Sequence, residues 1–368
     1  MAVPAGHLRE NASMTPTRSN AAAQADDRGA PNADGQEGET RGTVYVALGA
    51  NLLIAVAKVA GGLLTGSSAL LSEAAHSVAD SVNELFLLAA LRRSQKRPDG
   101  KHPFGYGKER YFWSLLAAVG IFVMGGCFSF YQGIQALRGS AGDSGGYLVA
   151  VLVLVAAGLF EGSSLVKALW QVRGEAAQSG LPFLRQLRHT QDPALRTVLG
   201  EDSAAVAGVV AALAGICLHL ATGDSAWEGV ASLVIALLLI YVAYQLGKEA
   251  RGQLIGEALG RRIQQEIHAF LTRQPEIDHV TALLTMRLGP GSALLVARVD
   301  LAGGSDSEEV EEYAVRIKRD LARHWSELDH IFLDVTDAGA VGRRRARQLH
   351  SDLNDRSHPD EPPGVPHA

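Results

Sequence analysis

The sequence predicts an α-helical membrane protein in which six transmembrane helices precede a small α+β domain. Three observations lead there. The 368-residue chain is 47% hydrophobic and only 20% charged, and it holds 40 glycines, a residue enriched in membrane helices. Six windows, at about 44–64, 68–91, 111–136, 146–170, 195–221 and 226–247, are apolar over the roughly 20 residues that a helix needs to cross hydrocarbon. From about residue 250 onward the pattern becomes that of short amphipathic helices and strands. The chain therefore divides into 1–41, a segment expected to be disordered; 42–248, the six-span domain; 249–338, the α+β domain; and 339–368, a tail expected to be disordered.

Residues 1–41 are rich in Ala, Gly, Asn, Asp and Gln, with too little apolar surface to offset the entropy of ordering. They hold no apolar stretch of the secretory-signal kind. Among the windows the third, YFWSLLAAVGIFVMGGCFSFYQGIQAL, and the sixth, WEGVASLVIALLLIYVAYQL, are the clearest. The second and fifth carry His76, Asp80, Glu201 and Asp202, which lowers their hydropathy. Tyr111, Trp113, Trp170 and Trp227 fall near window ends, where amphipathic rings favour the headgroup layer.

Loop charge gives orientation. Arg92, Arg93, Lys96, Arg97, Lys101, Lys108 and Arg110 lie between windows two and three. Arg173, Arg185, Arg188 and Arg196 lie between four and five, and Lys248 and Arg251 follow six. The segments RGSAGDSGG and TGDSAWEG hold one Arg between them. The positive-inside bias places both termini in the cytoplasm, and abundant Ala and Gly with short loops suggest a bacterial plasma membrane.

In the terminal domain GRRIQQEIHAFLTRQ has helical spacing at Ile263, Ile267, Phe270 and Leu271. HVTALLTMRLG and SALLVARVDLAG read as strands joined by Gly289-Pro290-Gly291. SDSEEVEEYAVRIKRDLARHW is capped by Ser and Asp, acidic at its start and basic at its end, as a helix is. DHIFLDVTD is a third strand. The order αββαβ is a small sheet with helices on one face, which suits regulation or dimerisation better than catalysis.

Several classes are excluded. Cys127 and Cys217 both sit in apolar segments, so neither a disulfide framework nor a zinc knuckle is indicated. The run Arg343-Arg344-Arg345-Ala346-Arg347 is too short for a nucleic-acid face, although anionic lipid would attract it. No HExxH pair occurs on any span, which argues against an intramembrane metalloprotease. The chain is expected to be no enzyme and to need no cofactor.

The chemistry concentrates in SEAAHSVAD. His76 and Asp80 are four residues apart and share a helix face; Glu73 lies close to the same stripe and Asn83 extends it. An imidazole and a carboxylate so placed can hold one divalent cation and leave positions for a second helix to fill. The fifth window offers Glu201 and Asp202, which point about 100° apart, so that only one faces His76 fully. Each charged group costs about 2.5–3.5 kcal/mol in the apolar layer. Lys58 is the only cation within windows one, two and five apart from Arg196 at the very start of the fifth, so mutual pairing cannot neutralise the set, and metal or protons must. Glu161, in window four, reads either as a proton site or as a partner of Lys58 or Lys167.

These residues bring out a resemblance. SSALLSEAAHSVADSVNE with its HxxxD pair, HPFGYGKER after it, six spans and a terminal αββαβ unit resemble the cation diffusion facilitators, proton-coupled exporters of divalent metals. The resemblance covers about residues 42–337. Through DPALRTVLGEDSAAVAGV and GIFVMGGCFSFYQGIQAL the chain most resembles the zinc transporter nine branch. It implies a ferredoxin-like terminal domain, a homodimer and metal-for-proton antiport. It implies a transport site at His76, Asp80 and Asp202, with Glu201, Glu73 or water as fourth ligand. The family's second span-five ligand, a His, falls on Val198, a departure that weakens the metal preference. A span-two His favours Zn2+ as transported substrate over Mn2+ or Fe2+, and a transporter of Mn2+, Fe2+ or Co2+ is the alternative. A chain that has lost transport and kept binding is the other alternative. Asp99 and His102 stand where some relatives bind a second metal, but Tyr106 replaces the usual third ligand, and a structural loop role is the rival reading. In the terminal domain the positions of the relatives' regulatory ligands hold Arg298 and Asp334, with Thr336 nearby.

Overall fold

The computed structural model describes residues 33–139, 146–179, 193–303, 306–337 and 339–354, with side chains described from Leu48 onward apart from 175–198. Arg185 and Arg188, most of the expected N-terminal disordered segment and the end of the expected tail lie outside the described residues.

The helical part comprises α1 (Ala33–Thr65), α2 (Ser68–Ser94), α3 (Glu109–Gly120), a π-helical segment (Ile121–Cys127), α4 (Phe128–Leu137), α5 (Tyr147–Ser179), α6 (Pro193–Thr222) and α7 (Ala226–Ile255). Among the described residues five stretches are long and apolar enough to cross a membrane: Leu48–Thr65, Glu109–Leu137, Tyr147–Gly174, Leu199–Thr222 and Ala226–Ile255. Each coincides with an expected window. The second window also forms a helix, α2, but Glu73, His76, Asp80 and Glu84 keep its hydropathy below that of a plain span. Large side chains such as Leu53, Leu63, Leu148 and Leu159 are more than 70% exposed, the outward apolar surface of a helix bundle meant for lipid.

Small residues let the helices approach. A Cβ added to Gly133 of α4 would lie 3.0 Å from the Gly229 carbonyl of α7, and one added to Gly229 would lie 3.0 Å from the Gly133 carbonyl. Such contacts drive association where lipid removes the hydrophobic incentive. Leu70, Ile121, Leu154, Val209, Ile216, Ile235 and Leu239 fill the space between.

The terminal domain follows as α8 (Arg261–Thr272), β1 (Ile277–Gly289), β2 (Ser292–Leu301), α9 (Ser307–His324), β3 (Leu328–Val335) and α10 (Ala340–Asn354). β1 and β2 pair antiparallel, β2 and β3 parallel, in the order β1-β2-β3. Leu295, Ala297 and Val299 on one face of β2 are buried together with Ile267 and Leu271 of α8 and Ile317 and Leu321 of α9. A capping box starts α9, with Asp306 accepting from the Glu309 amide and Glu309 returning to the Asp306 amide.

Two boundaries differ from expectation. Helix α1 begins at Ala33, inside the segment expected to be disordered. Residues 340–354, expected as tail, form α10, because Leu349 and Leu353 sit four apart and both bury in the terminal core. Arg261 and Gln265 of α8 donate to the last carbonyls of α10, at Asp352 and Leu353, and so satisfy a helix end.

Candidate metal and proton site

Helix α2 places His76 Nε2 3.5 Å from Asp80 Oδ2, one turn apart on one face. The imidazole is buried, and neither of its nitrogens has a hydrogen-bond partner. Leaving such a ring unsatisfied is costly, and imidazole nitrogens are common metal ligands and proton acceptors. On α6, Asp202 accepts a hydrogen bond from Ser164 of α5, while its Oδ2 is buried and unpartnered. Its neighbour Glu201 accepts from Asn83 Nδ2 of α2 at 3.3 Å. Asp80 is near enough to Glu201, Asp202 and Glu84 for their charges to interact.

Glu84 and Asn51 belong to this layer and escaped the sequence reading. Asn51 Nδ2 of α1 donates to Glu84 Oε1 at 2.5 Å. Glu84 follows Asp80 by four residues, so extending the His76–Asp80 stripe one turn was signal enough. Asn51 had no such signal, because its role comes from a contact 33 residues away in sequence.

Among the described residues no three His, Cys, Asp or Glu groups come together closely enough to hold an ion. The structure joins His76 with Asp80 and brings Glu201 and Asp202 to the adjoining helix without closing the set.

Glu73 and Glu161 are engaged elsewhere. Lys58 Nζ, fully buried on α1, lies 2.9 Å from Glu73 Oε2 of α2 and 2.9 Å from Glu161 Oε1 of α5. Of the two readings of Glu161, the structure shows the Lys58 pairing. One ammonium against two carboxylates leaves Glu73 Oε1 and Glu161 Oε2 buried without partners. Gly208 of α6 backs onto this triad, and a Cβ there would fall 2.2 Å from Glu73 Oε1.

Asp99 and His102 sit in an exposed loop that is already bonded. Asp99 accepts from the Tyr106 hydroxyl at 2.6 Å, the His102 amide at 2.8 Å and the Lys101 amide at 2.9 Å. The Tyr106 bond foremost, then the amides, hold its carboxyl down at about 2. In the terminal domain Arg298 Nε binds Asp334 Oδ2 at 2.6 Å and Thr336 donates to Asp334 Oδ1. The Arg298 bond pushes the Asp334 carboxyl below its ordinary value.

A cavity of about 970 Å³ reaches Glu201. It is lined by Tyr241, Gln245, Lys248 and Glu249 of α7 and by Gly256 and Glu257 beyond it, at the bundle end that adjoins the terminal domain.

Residues 44–255 match the profile of the cation efflux transmembrane domain. The chain belongs to the cation efflux family. Three relatives illustrate the match. One is "Metal tolerance protein C4" of Arabidopsis thaliana, 35% identical over 260 residues, 71% of this chain and 57% of that protein. Another is "Proton-coupled zinc antiporter SLC30A9, mitochondrial" of Homo sapiens, 31% identical over 260 residues, 71% of this chain and 46% of that protein. The third is "Manganese efflux system protein MneP" of Bacillus subtilis, 22% identical over 308 residues, 80% of this chain and 95% of that protein. The chain thus spans about half the length of the first two. Among the described residues, His76, with both buried ring nitrogens unbonded, and Asp202, with its buried Oδ2 unbonded, are of the imidazole and carboxylate types that ligate divalent ions.

Proposed function

We propose that the protein exports a divalent cation, Zn2+ foremost, in exchange for protons, crossing the membrane six times with both termini in the cytoplasm. In this reading α2 also crosses and, with the five plain spans, makes six. Its ionisable stripe faces helices rather than lipid, as the burial of Glu73 and His76 supports. The terminal αββαβ unit is ferredoxin-like and joins two copies into a homodimer, lipid surrounds the bundle, and the membrane is a bacterial plasma membrane. No enzymatic step is involved.

The observation that carries this reading is the buried His76 ring, its nitrogens without hydrogen-bond partners, one turn from Asp80, whose charge interacts with Asp202 of α6 and its buried, unbonded Oδ2. The cation enters through the cavity that reaches Glu201, and His76, Asp80 and Asp202 ligate it, with Glu201 or water as fourth ligand. Ligation requires deprotonated groups, so binding expels protons and affinity falls with pH. Rocking of helices about a fixed site then exposes the ion to the opposite side. Protons arriving there displace it, because a protonated imidazole or carboxylate cannot ligate the ion.

The name of the Bacillus subtilis relative supports Mn2+ as the alternative cargo, with Fe2+ and Co2+ behind it. Uptake of zinc into proteoliposomes with an imposed pH gradient tests the proposal. Flux should follow the gradient and fall at least about a hundredfold in the His76→Ala, Asp80→Ala double variant. Zinc flux equal to the parent's in that variant contradicts the site. Zinc binding without flux in the parent identifies a chain that has lost transport.

A further inference from the structure

At the end of the bundle away from the terminal domain, three chain segments meet on one buried carboxylate. Glu228, in the first turn of α7, is 2% exposed. Its Oε1 lies 2.5 Å from His219 Nδ1 near the end of α6, and its Oε2 accepts from Ser67 Oγ at 2.5 Å. Ser67 is also the N-cap of α2, its hydroxyl accepting from the Leu70 amide at 3.3 Å. Tyr147, at the start of α5, packs its ring edgewise on His219 with centroids 5.0 Å apart. Both carboxylate oxygens are therefore committed, and the ends of α2, α5, α6 and α7 are tied at one point.

We infer that Ser67, His219 and Glu228 form a latch that keeps this far end closed while the site is open toward the terminal domain, and that the latch must part for the cargo to leave. The inference rests on the alternating-access reading above. Three features of the structure support it. Glu201 faces a cavity that opens at the terminal-domain end, so access exists on that side. His76 is nine residues along α2 from Ser67, about 13 Å at the helical rise, so the latch lies between the site and the far surface. Ser67 belongs to the same helix as His76 and Asp80, so any tilt of α2 away from α7 must break its bond to Glu228. The burial of Glu228 makes that bond costly to lose without replacement, which gives the closed state its bias.

Side-specific labelling tests the latch. In the full chain with Cys127→Ser and Cys217→Ser, a reporter Ala74→Cys sits between Ser67 and His76 at a position buried in this conformation. Sealed vesicles of both orientations are treated with a membrane-impermeant maleimide. The parent reporter should react slowly from the far face. Ser67→Ala and Glu228→Gln should each raise that rate at least tenfold and leave the rate from the terminal-domain face within twofold. Ser67→Thr, which keeps the hydroxyl, should stay near the parent.

Far-face rates unchanged in both Ser67→Ala and Glu228→Gln would overturn the latch. Equal acceleration from both faces would overturn it too, since that is general loosening. If one variant fails to fold, the other decides. Labelling needs no flux, so a parent without zinc transport would count against the proposed function and leave the latch to be judged on accessibility.

Discussion

Gly107 and Gly289 meet backbone against backbone. A Cβ on Gly107 would lie 2.6 Å from the Leu288 carbonyl oxygen, and one on Gly289 would lie 2.7 Å from the Gly107 Cα. This is where the loop between α2 and α3 seats on the β1–β2 hairpin. Lys108 Nζ at 3.8 Å from Met286 Sδ and Phe104 edge-on to His330 complete the contact. The HPFGYG stretch thus ties the helix that carries His76 to the terminal domain.

Gly107→Ala should push the loop off the hairpin at a cost of about 1–3 kcal/mol, the range for overpacking. Limited proteolysis of the loop and of the segment after α7 is the check, with faster cleavage expected in Gly107→Ala than in Gly100→Ala, where a Cβ meets open space. Equal cleavage rates would show that the close approach is unimportant.

Lys58 pairs with two carboxylates, and removing it strands both. Lys58→Met should destabilise the bundle by about 3–5 kcal/mol, the cost of breaking a buried ion pair on one side. Thermal unfolding in detergent measures this. The triple change Lys58→Met, Glu73→Gln, Glu161→Gln should recover most of the loss, because no uncompensated charge remains. If Lys58→Met melts with the parent, the triad does not support the fold.

Helix α10 is held by Leu349 and Leu353. Leu353→Ala should cost about 2–5 kcal/mol, as deletions of buried Leu do. Hydrogen exchange should show the amides of α10 losing protection before those of β2. Ending the chain at residue 339 should expose the parts of β1 and α8 that α10 covers and lower the melting temperature.

His268 is buried beside His350, their ring centroids 5.6 Å apart, and burial followed by the His350 charge lowers its pKa from the ordinary 6.5. The folded domain therefore refuses a proton that the unfolded chain accepts below about pH 6.5. This contribution is fully present above that pH and is lost as pH falls through it, with a slope of at most about 1.4 kcal/mol per pH unit. Denaturant unfolding between pH 7.5 and 5.5 should show the decline, and His268→Asn should flatten it.

What could be read from the sequence follows contact range. His76 and Asp80 are legible because a helix brings residues four apart together, and the same rule would have given Glu84. Lys58 is different: its partners lie 15 and 103 residues away, so the reading could count its charge but could not tell which acid it meets. The latch was invisible for the same reason, since Ser67 and Glu228 are 161 residues apart. Helix α10 was hidden by composition. Its arginine-rich start dominates the window, and the two leucines that dock it look incidental until β1 and α8 are seen beside it. The five plain spans needed no contacts at all, only length and hydropathy.

The most direct test of the central claim is the metal content of the purified protein, read by mass spectrometry after equilibration with equimolar zinc and manganese at pH 7.5 and again at pH 5.5. One equivalent of zinc per chain is expected at pH 7.5, at least tenfold less at pH 5.5, and none above background in His76→Ala or Asp202→Asn. Zinc retained at full stoichiometry in both variants, or binding indifferent to pH, would contradict a site built from that imidazole and those carboxylates.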